Sequence, residues 1–396
     1  MLAVRFFAVA AEPDALRIDS LIRERHMPHA GIIDPVFASA ESDEIVSYSR
    51  CGDSAIWTGH YLAAESYRYK VTRSPEALDN IKAALHGIRI LFDVTGNDTL
   101  ARCAFPEDAW YAADVLSEEA EHGFHHGVVD GAKWLYVGHV SRDQWVGVYF
   151  GLTAAWNLVD DAEVRAAVRW LAVRGANSLL KRNWILLDPD GRFSTTFWGR
   201  ADQQLMILKL VRRLDEDHFS WDYRWMSTTM AGEGIIPIAA EVTSPYSSYF
   251  KFNLDHITFY GLLTSGDNSY VSSSYRKAWA VLRNTTDDHQ NAFFDVITHA
   301  IDGPNEARDQ GLRDMLDAWL QRPARDAWVD LRSEVATCGG DDRSCDPIPV
   351  ERRVTTDFVW QRSPFQTVGG GYGTIETAGI DYILPYWMAR YHGILQ

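Results

Sequence analysis

Aspartates recur in this sequence at one kind of place, the polar start of a segment that then turns apolar. Asp53, Asp143, Asp202, Asp255, Asp295 and Asp381 each open such a run. Asp is a favoured cap and first-turn residue, since its carboxylate takes up free backbone N–H groups and suits the positive end of the helix dipole. Carboxylates gathered around one cleft have a second use. A pair of them, one kept protonated by burial or by a like charge, is what acid-catalysed glycoside cleavage requires. Asp143 is the first candidate, set between Arg142 and Gln144 and just before Trp145. Asp53 is the second, with Trp57 one turn on and His60 two turns on. Asp255 is the third, followed by His256, a residue suited either to proton transfer or to a hydrogen-bonded place in the core. Which carboxyl is acid and which is base is not readable.

The other reactive residues suggest competing chemistry. Tyr61, Tyr149, Tyr260 and Tyr386 are candidate lyase bases, with Arg142 or Arg68 to neutralise a uronate. His122, His125 and His126 crowd together, but their spacing fits no standard zinc motif, and the stretch reads as a solvated loop before Gly127. The expectation is therefore no metal and no cofactor. A G-x-S-x-G elbow, a P-loop and a dinucleotide glycine motif are all missing. The run Gly369-Gly370-Gly371 reads as a flexible hinge.

These residues need elements to hold them. Ser141 to Leu158 is uncharged and apolar on every side after Asp143, the pattern of a buried helix. Residues 52–64 repeat it, and Ser74-Pro75-Glu76 then caps a one-faced helix carrying Leu78, Ile81, Leu85, Ile88 and Leu91. The alternation of buried and amphipathic helix recurs from Asp160, Trp198, Asn253, Asn291 and Gly379. Asp188-Pro189-Asp190-Gly191 predicts a small β-hairpin within 183–198. From Cys338 to Gly373 helical periodicity is lost, and this stretch is expected to be a loop covering one end of the helices, with Trp360 and Arg362 reaching a ligand. No linker divides the chain, so residues 1–396 are expected to form a single domain.

The chain of 396 residues carries 38 basic and 54 acidic side chains, a net charge of −16 that disfavours nucleic acid and anionic membranes as partners. No run of apolar residues is long enough to span a membrane. Fifteen tryptophans exceed what a core of this size usually holds, so some are expected to line a cleft: Trp57, Trp145, Trp198 and Trp360. Met1 to Ala11 ends in small residues like a cleavage site, but its apolar core is too short for a secretory signal, and localisation is not read. Cys338 and Cys345 bracket a loop that an exported protein would close with a disulfide, while Cys51 and Cys103 have no readable partner.

In its alternation of helices the chain resembles the six-hairpin, (α/α)6-toroid glycosidase superfamily. The resemblance covers nearly the whole chain in architecture and rests on no diagnostic catalytic signature. It implies an all-α (α/α)6 toroid of alternating inner and outer helices, with a small β-hairpin and a long cleft-covering loop. It also implies an oligo- or polysaccharide held in a funnel at the polar starts of the inner helices. The expectation is hydrolysis by Asp143, Asp53 or Asp255, with Trp57, His60, Arg142, Gln144, Trp145, Trp198, His256, Trp360 and Arg362 binding substrate. A polysaccharide lyase or sugar epimerase is the enzyme alternative, and a non-catalytic carbohydrate- or lipid-binding toroid the other. Oligomeric state is not read.

Overall fold

The computed structural model describes residues 10–29, 31–229, 238, 242, 249–264, 270–335 and 346–396. The chain is mostly helical, with small antiparallel sheets. Helix α1 (Glu12–Leu21) runs into a π turn at Ile22–His26, and a hairpin of β1 (Asp34–Phe37) and β2 (Ile45–Ser49) leads on to α2 (Ser54–Thr72) and α3 (Pro75–Asp93). A three-stranded sheet follows: β3 (Cys103–Pro106), then α4 (Ala112–Glu118), β4 (Phe124–Val129) and β5 (Ala132–Val137), with β5 in the middle. Next come α5 (Arg142–Leu158), α6 (Ala162–Lys181), the hairpin of β6 (Ile185–Leu187) and β7 (Phe193–Thr196), α7 (Ala201–Leu214) and α8 (Glu216–Thr229). The last elements are α9 (Phe250–Leu263), α10 (Tyr270–Thr286), α11 (Ala292–Asp302), α12 (Glu306–Trp319), the pair β8 (Val329–Asp330) and β9 (Val368–Gly369), and α13 (Ile380–Tyr391). Among the described residues, no helix is long and apolar enough to cross a membrane.

Local chemistry accounts for the helix starts. Ser74, Asp161, Asn291 and Asn305 each accept a hydrogen bond from a first-turn N–H of α3, α6, α11 and α12. Burial separates the two kinds of helix: α2 is buried from Ser54 through Arg68, whereas α3 buries one face through residues such as Ile81, Leu85 and Ile88. The buried helices meet one another. α2 packs on α5 and α13, α5 on α7 and α9, α7 on α9, α9 on α11, and α11 on α13. Each also carries an amphipathic companion: α3 on α2, α6 on α5, α8 on α7, α10 on α9, α12 on α11 and α1 on α13.

Three expectations are corrected. The His122–His126 stretch is not a solvated loop, because His125 and His126 belong to β4 and pair with Tyr136 and Leu135. Gly369–Gly371 is no hinge: it packs on 326–328, where a Cβ on Gly370 would strike the Ala327 carbonyl and one on Gly371 the Asp326 carboxylate. Helix α9 begins at Phe250, so Asp255 lies within the helix rather than at its start. Cys51 and Cys103 form a disulfide with Cα atoms 5.5 Å apart. Cys338 and Cys345 lie outside the described residues.

Candidate functional site

The starts of α2 and α5 are held side by side by glycine. A Cβ on Gly59 would strike the Gly147 carbonyl, and one on Gly147 would come within 2.8 Å of Ile56 Cα, so the two backbones approach as only glycine permits. That approach sets Asp53 next to Gln144. Gln144, fully buried, accepts from the Ile56 N–H at 3.0 Å and donates to Asp53 Oδ1 at 3.0 Å. A neighbouring helix thus takes up a first-turn donor of α2. Asp53 makes no capping bond to its own helix, and its carboxyl is left for other work.

The turn that presents Asp53 is braced from the sheet. Cys51 is bonded to Cys103 on β3, and the adjacent Arg102 donates to the Gly52 carbonyl at 2.9 Å. Gly52 N–H donates to Glu119 Oε1 at 2.7 Å. Burial pushes the Asp53 carboxyl up to about 6, and the Asp143 charge adds to this, with Arg102 and Gln144 opposing and Asp357 contributing further. Asp143 Oδ1 is itself buried, with no hydrogen bond among the described residues.

Asp53 opens into a cavity of about 230 Å³ that also presents Asp34, Arg50, Trp57, Asp357 and Gln361. Arg50 takes a left-handed backbone conformation (φ 60°), unusual for a residue with a side chain. Its N–H donates to Glu118 Oε2, and its guanidinium reaches Asp34 Oδ2 at 3.0 Å and Thr377 Oγ1 at 3.3 Å. Burial opposes the charge on Arg50, but Asp34 and Asp357 outweigh it and hold the guanidinium charged. Trp57 is 5% exposed and packs edge-on against Phe358 at 4.7 Å. A small polar cavity with one aromatic wall, one fixed cation and several carboxyls suits a polyhydroxylated ligand.

Of the residues expected at the site, Asp53 and Trp57 line this cavity, and Gln144 and Asp143 stand behind Asp53. The rest are elsewhere. Asp255 is fully buried and shares Arg200 with Asp202, 2.6 Å and 2.8 Å from the guanidinium. Trp145 is fully buried against Phe92 and Tyr149 and offers no face to a ligand. Trp360 is also fully buried, packed on Trp57, His60 and Phe293. His60 and His256 are core histidines that burial keeps neutral, at about 4 and about 3, each with Nδ1 on a carbonyl of its own helix. Trp198 is exposed on the surface with its indole N–H on the Asn183 carbonyl. Arg142 reaches the Thr196 carbonyl at 3.3 Å, and Arg362 donates to Asp357 at 2.5 Å. The tyrosines lie off the cavity: Tyr61 donates to Asp19, Tyr149 to the Ala172 carbonyl, Tyr260 pairs with Tyr67, and Tyr386 accepts from Arg390. Arg68 is held by Asp19, Glu65 and Glu76.

Sequence reasoning missed Asp34, Arg50, Asp357 and Gln361. Asp357 and Gln361 fall in the stretch expected to cover one end of the helices but were not singled out there, and Asp34 and Arg50 come from the β1–β2 hairpin and its exit, about 300 residues away. The described residues contain no group of three or more His, Cys, Asp or Glu able to hold a metal ion. No family model, no curated protein and no solved structure matches this chain.

Proposed function

We propose that the protein is a carbohydrate-active hydrolase with Asp53 as the general acid. The observation that carries this is Asp53 itself: a carboxyl in a polar cavity, excused from capping and raised to about 6, with further carboxylates beside it. Such a group still holds its proton in mildly acidic solution and can pass it to a leaving oxygen. Trp57 supplies an apolar edge for a sugar ring, and Arg50 a fixed donor for hydroxyl groups. The fold in this reading is an (α/α)6 toroid. In its support, the buried helices α2, α5, α7, α9, α11 and α13 contact each other in sequence, and α13 contacts α2. A further cavity of about 450 Å³ takes lining residues from all six of them, among them Tyr67, Asn157, Met206, Tyr260, Ala300 and Tyr391. The Cys51–Cys103 bond fits an oxidising compartment, where polysaccharide-degrading proteins work.

The test is a panel of oligosaccharides followed by both reducing-end release and the ultraviolet absorbance of unsaturated products. Reducing ends without absorbance are expected. Asp53→Asn should lower kcat about 10²–10⁴-fold while the melting temperature barely moves, and wild-type activity should fall as pH rises above about 6, where Asp53 loses its proton. Unsaturated products would favour the lyase, no product by either readout the binding protein, and full activity in Asp53→Asn would remove Asp53 as the general acid.

A further inference from the structure

Asp357 belongs to a stretch that packs on the starts of α2, α11 and α13, and that stretch is tied down at several points. Arg322 donates to the Val354 carbonyl at 3.2 Å and to Asp381 Oδ2 at 3.2 Å, and the Val359 N–H donates to the same Asp381 oxygen at 2.7 Å. Gln361 Oε1 accepts from the Phe358 N–H at 3.1 Å. The flanking rings of Phe358 and Trp360 are set into the core, 4.7 Å and 6.2 Å from Trp57, with Trp360 4.8 Å from Phe293. Asp357 is therefore presented by a rigid support, as a reacting group must be. Its Oδ2 is engaged by Arg362, and among the described residues no hydrogen bond engages Oδ1.

Two cavities meet at this residue. Asp357 and Thr377 line both the cavity of Asp53 and a second one, also of about 230 Å³. The second is floored by α1 and the end of α12, with Arg17, Trp319, Arg322 and Glu376 in its wall. Each compartment thus has one tryptophan, a fixed guanidinium (Arg50 in one, Arg322 in the other) and carboxylates, similar groups on either side of Asp357. Asp143 lines neither cavity, and of the other carboxylates around the Asp53 cavity, Asp34 is taken by Arg50 and His26, Glu118 by Ser49 and the Arg50 N–H, and Glu119 by the Gly52 N–H and His122.

We propose that Asp357 is the reacting partner of Asp53, and that the two cavities joined at it are adjacent sugar subsites of one oligosaccharide substrate. The proposal rests on the hydrolase reading above. In the reaction Asp53 gives its proton to the glycosidic oxygen as the bond from that oxygen to the anomeric carbon breaks. Water adds to the anomeric carbon, and the Asp357 carboxylate takes the proton that water releases. One water is consumed, one reducing end and one hydroxyl are formed, and the proton on Asp357 returns to Asp53 through solvent.

The experiment uses the full chain, reducing-end-labelled oligosaccharides of increasing length and nitrophenyl glycosides of single sugars. Asp357→Ala is expected to lose about 10²–10⁴ in kcat with an unchanged melting temperature, and added azide or formate, small anions able to stand in for the missing carboxylate, should restore part of it. Ala324→Trp, which fills the second cavity, is expected to lower kcat/KM about tenfold more for a tetrasaccharide than for a single-sugar glycoside. If Asp357→Ala turns over within threefold of the wild type while Asp53→Asn is dead, the assignment of Asp357 is overturned and the hydrolase reading stands. If both variants keep full activity, Asp53 falls as the acid and the assignment of Asp357 falls with it, and if the wild type cleaves none of these substrates the hydrolase reading itself falls. Equal losses on long and short substrates in Ala324→Trp would overturn the second subsite.

Discussion

Asp53, at the cap of α2, and Asp255, within α9, are the same residue type on two buried helices, and their fates are opposite. Asp255 is fully buried beside Arg200, and that guanidinium also binds Asp202, so both buried acids lean on one shared cation. Among the described residues the one cation paired with Asp53 is Arg102 at 3.7 Å, already committed to two backbone carbonyls, and Asp53 faces a second acid, Asp143. Its carboxyl is raised and opens into a cavity. Asp381 resembles Asp255: Arg322 and the Val359 N–H occupy it, and it ties the stretch carrying Asp357 to α13. The difference teaches that the position of an acid in a helix says little about its use. What decides is whether an arginine from elsewhere closes around it.

The largest expected effect comes from removing the shared cation. Arg200→Met leaves two buried carboxylates without the cation they share, and removing one partner of a buried pair costs about 3–5 kcal/mol. Chemical denaturation should show that loss, while Asp53 titrates as before. A stable Arg200→Met protein would mean that the cluster reaches water, and the contrast with Asp53 would collapse.

Much of the helical framework is legible in the sequence for reasons now visible. Ser74-Pro75, Asn291 and Asn305 make the cap bonds their types suggest, and α5 is apolar all round because it touches α2, α6, α7 and α9. The sheet of β3, β4 and β5 was not legible. Its strands are short, and β4 alternates exposed with half-buried residues that read as solvated loop. The site was half legible. Asp53 and Gln144 meet through the glycine contact of two neighbouring helices, whereas Arg200 decides the role of Asp255 from 55 residues away and Asp357 reaches Asp53 across most of the chain. Aromatic richness misled for a related reason: composition counts the rings but not the packing of Trp145 and Trp360 within the core.

Asp295 sharpens the comparison from the other side. It lines a cavity of about 540 Å³ with Arg308 nearby, yet no ion pair joins them among the described residues, and burial pushes its carboxyl up to about 8, with Asp287 and Asp309 adding to the shift. Below the ordinary carboxylate range both the folded and unfolded chains hold this proton. Between about 4 and 8 the unfolded chain has lost it and the folded chain keeps it, so stability falls as pH rises through that window. Asp295→Asn removes the fall. The variant should match the wild type at low pH and pull ahead of it by up to roughly 1.4 kcal/mol per pH unit between about 4 and 8. A pH-independent difference in denaturation midpoint would place Asp295 with the acids held by an arginine.

The smallest effect tests Asp53 itself. Asp143 stands beside it as a like charge, so Asp143→Asn removes a repulsion that keeps the proton on Asp53. Burial, the larger cause, is untouched, and Arg102 and Gln144 remain in place. The Asp53 carboxyl should therefore move down from about 6 without returning to its ordinary value. Carboxyl carbon resonances followed across pH report this without a substrate, with Asp53→Asn identifying the resonance. A shift of less than about one pH unit, or roughly 1 kcal/mol, is expected. An unmoved titration would mean that burial alone raises Asp53. An upward shift would mean that Asp143 is not ionised beside it, and the two acids would then have to be treated as one coupled pair.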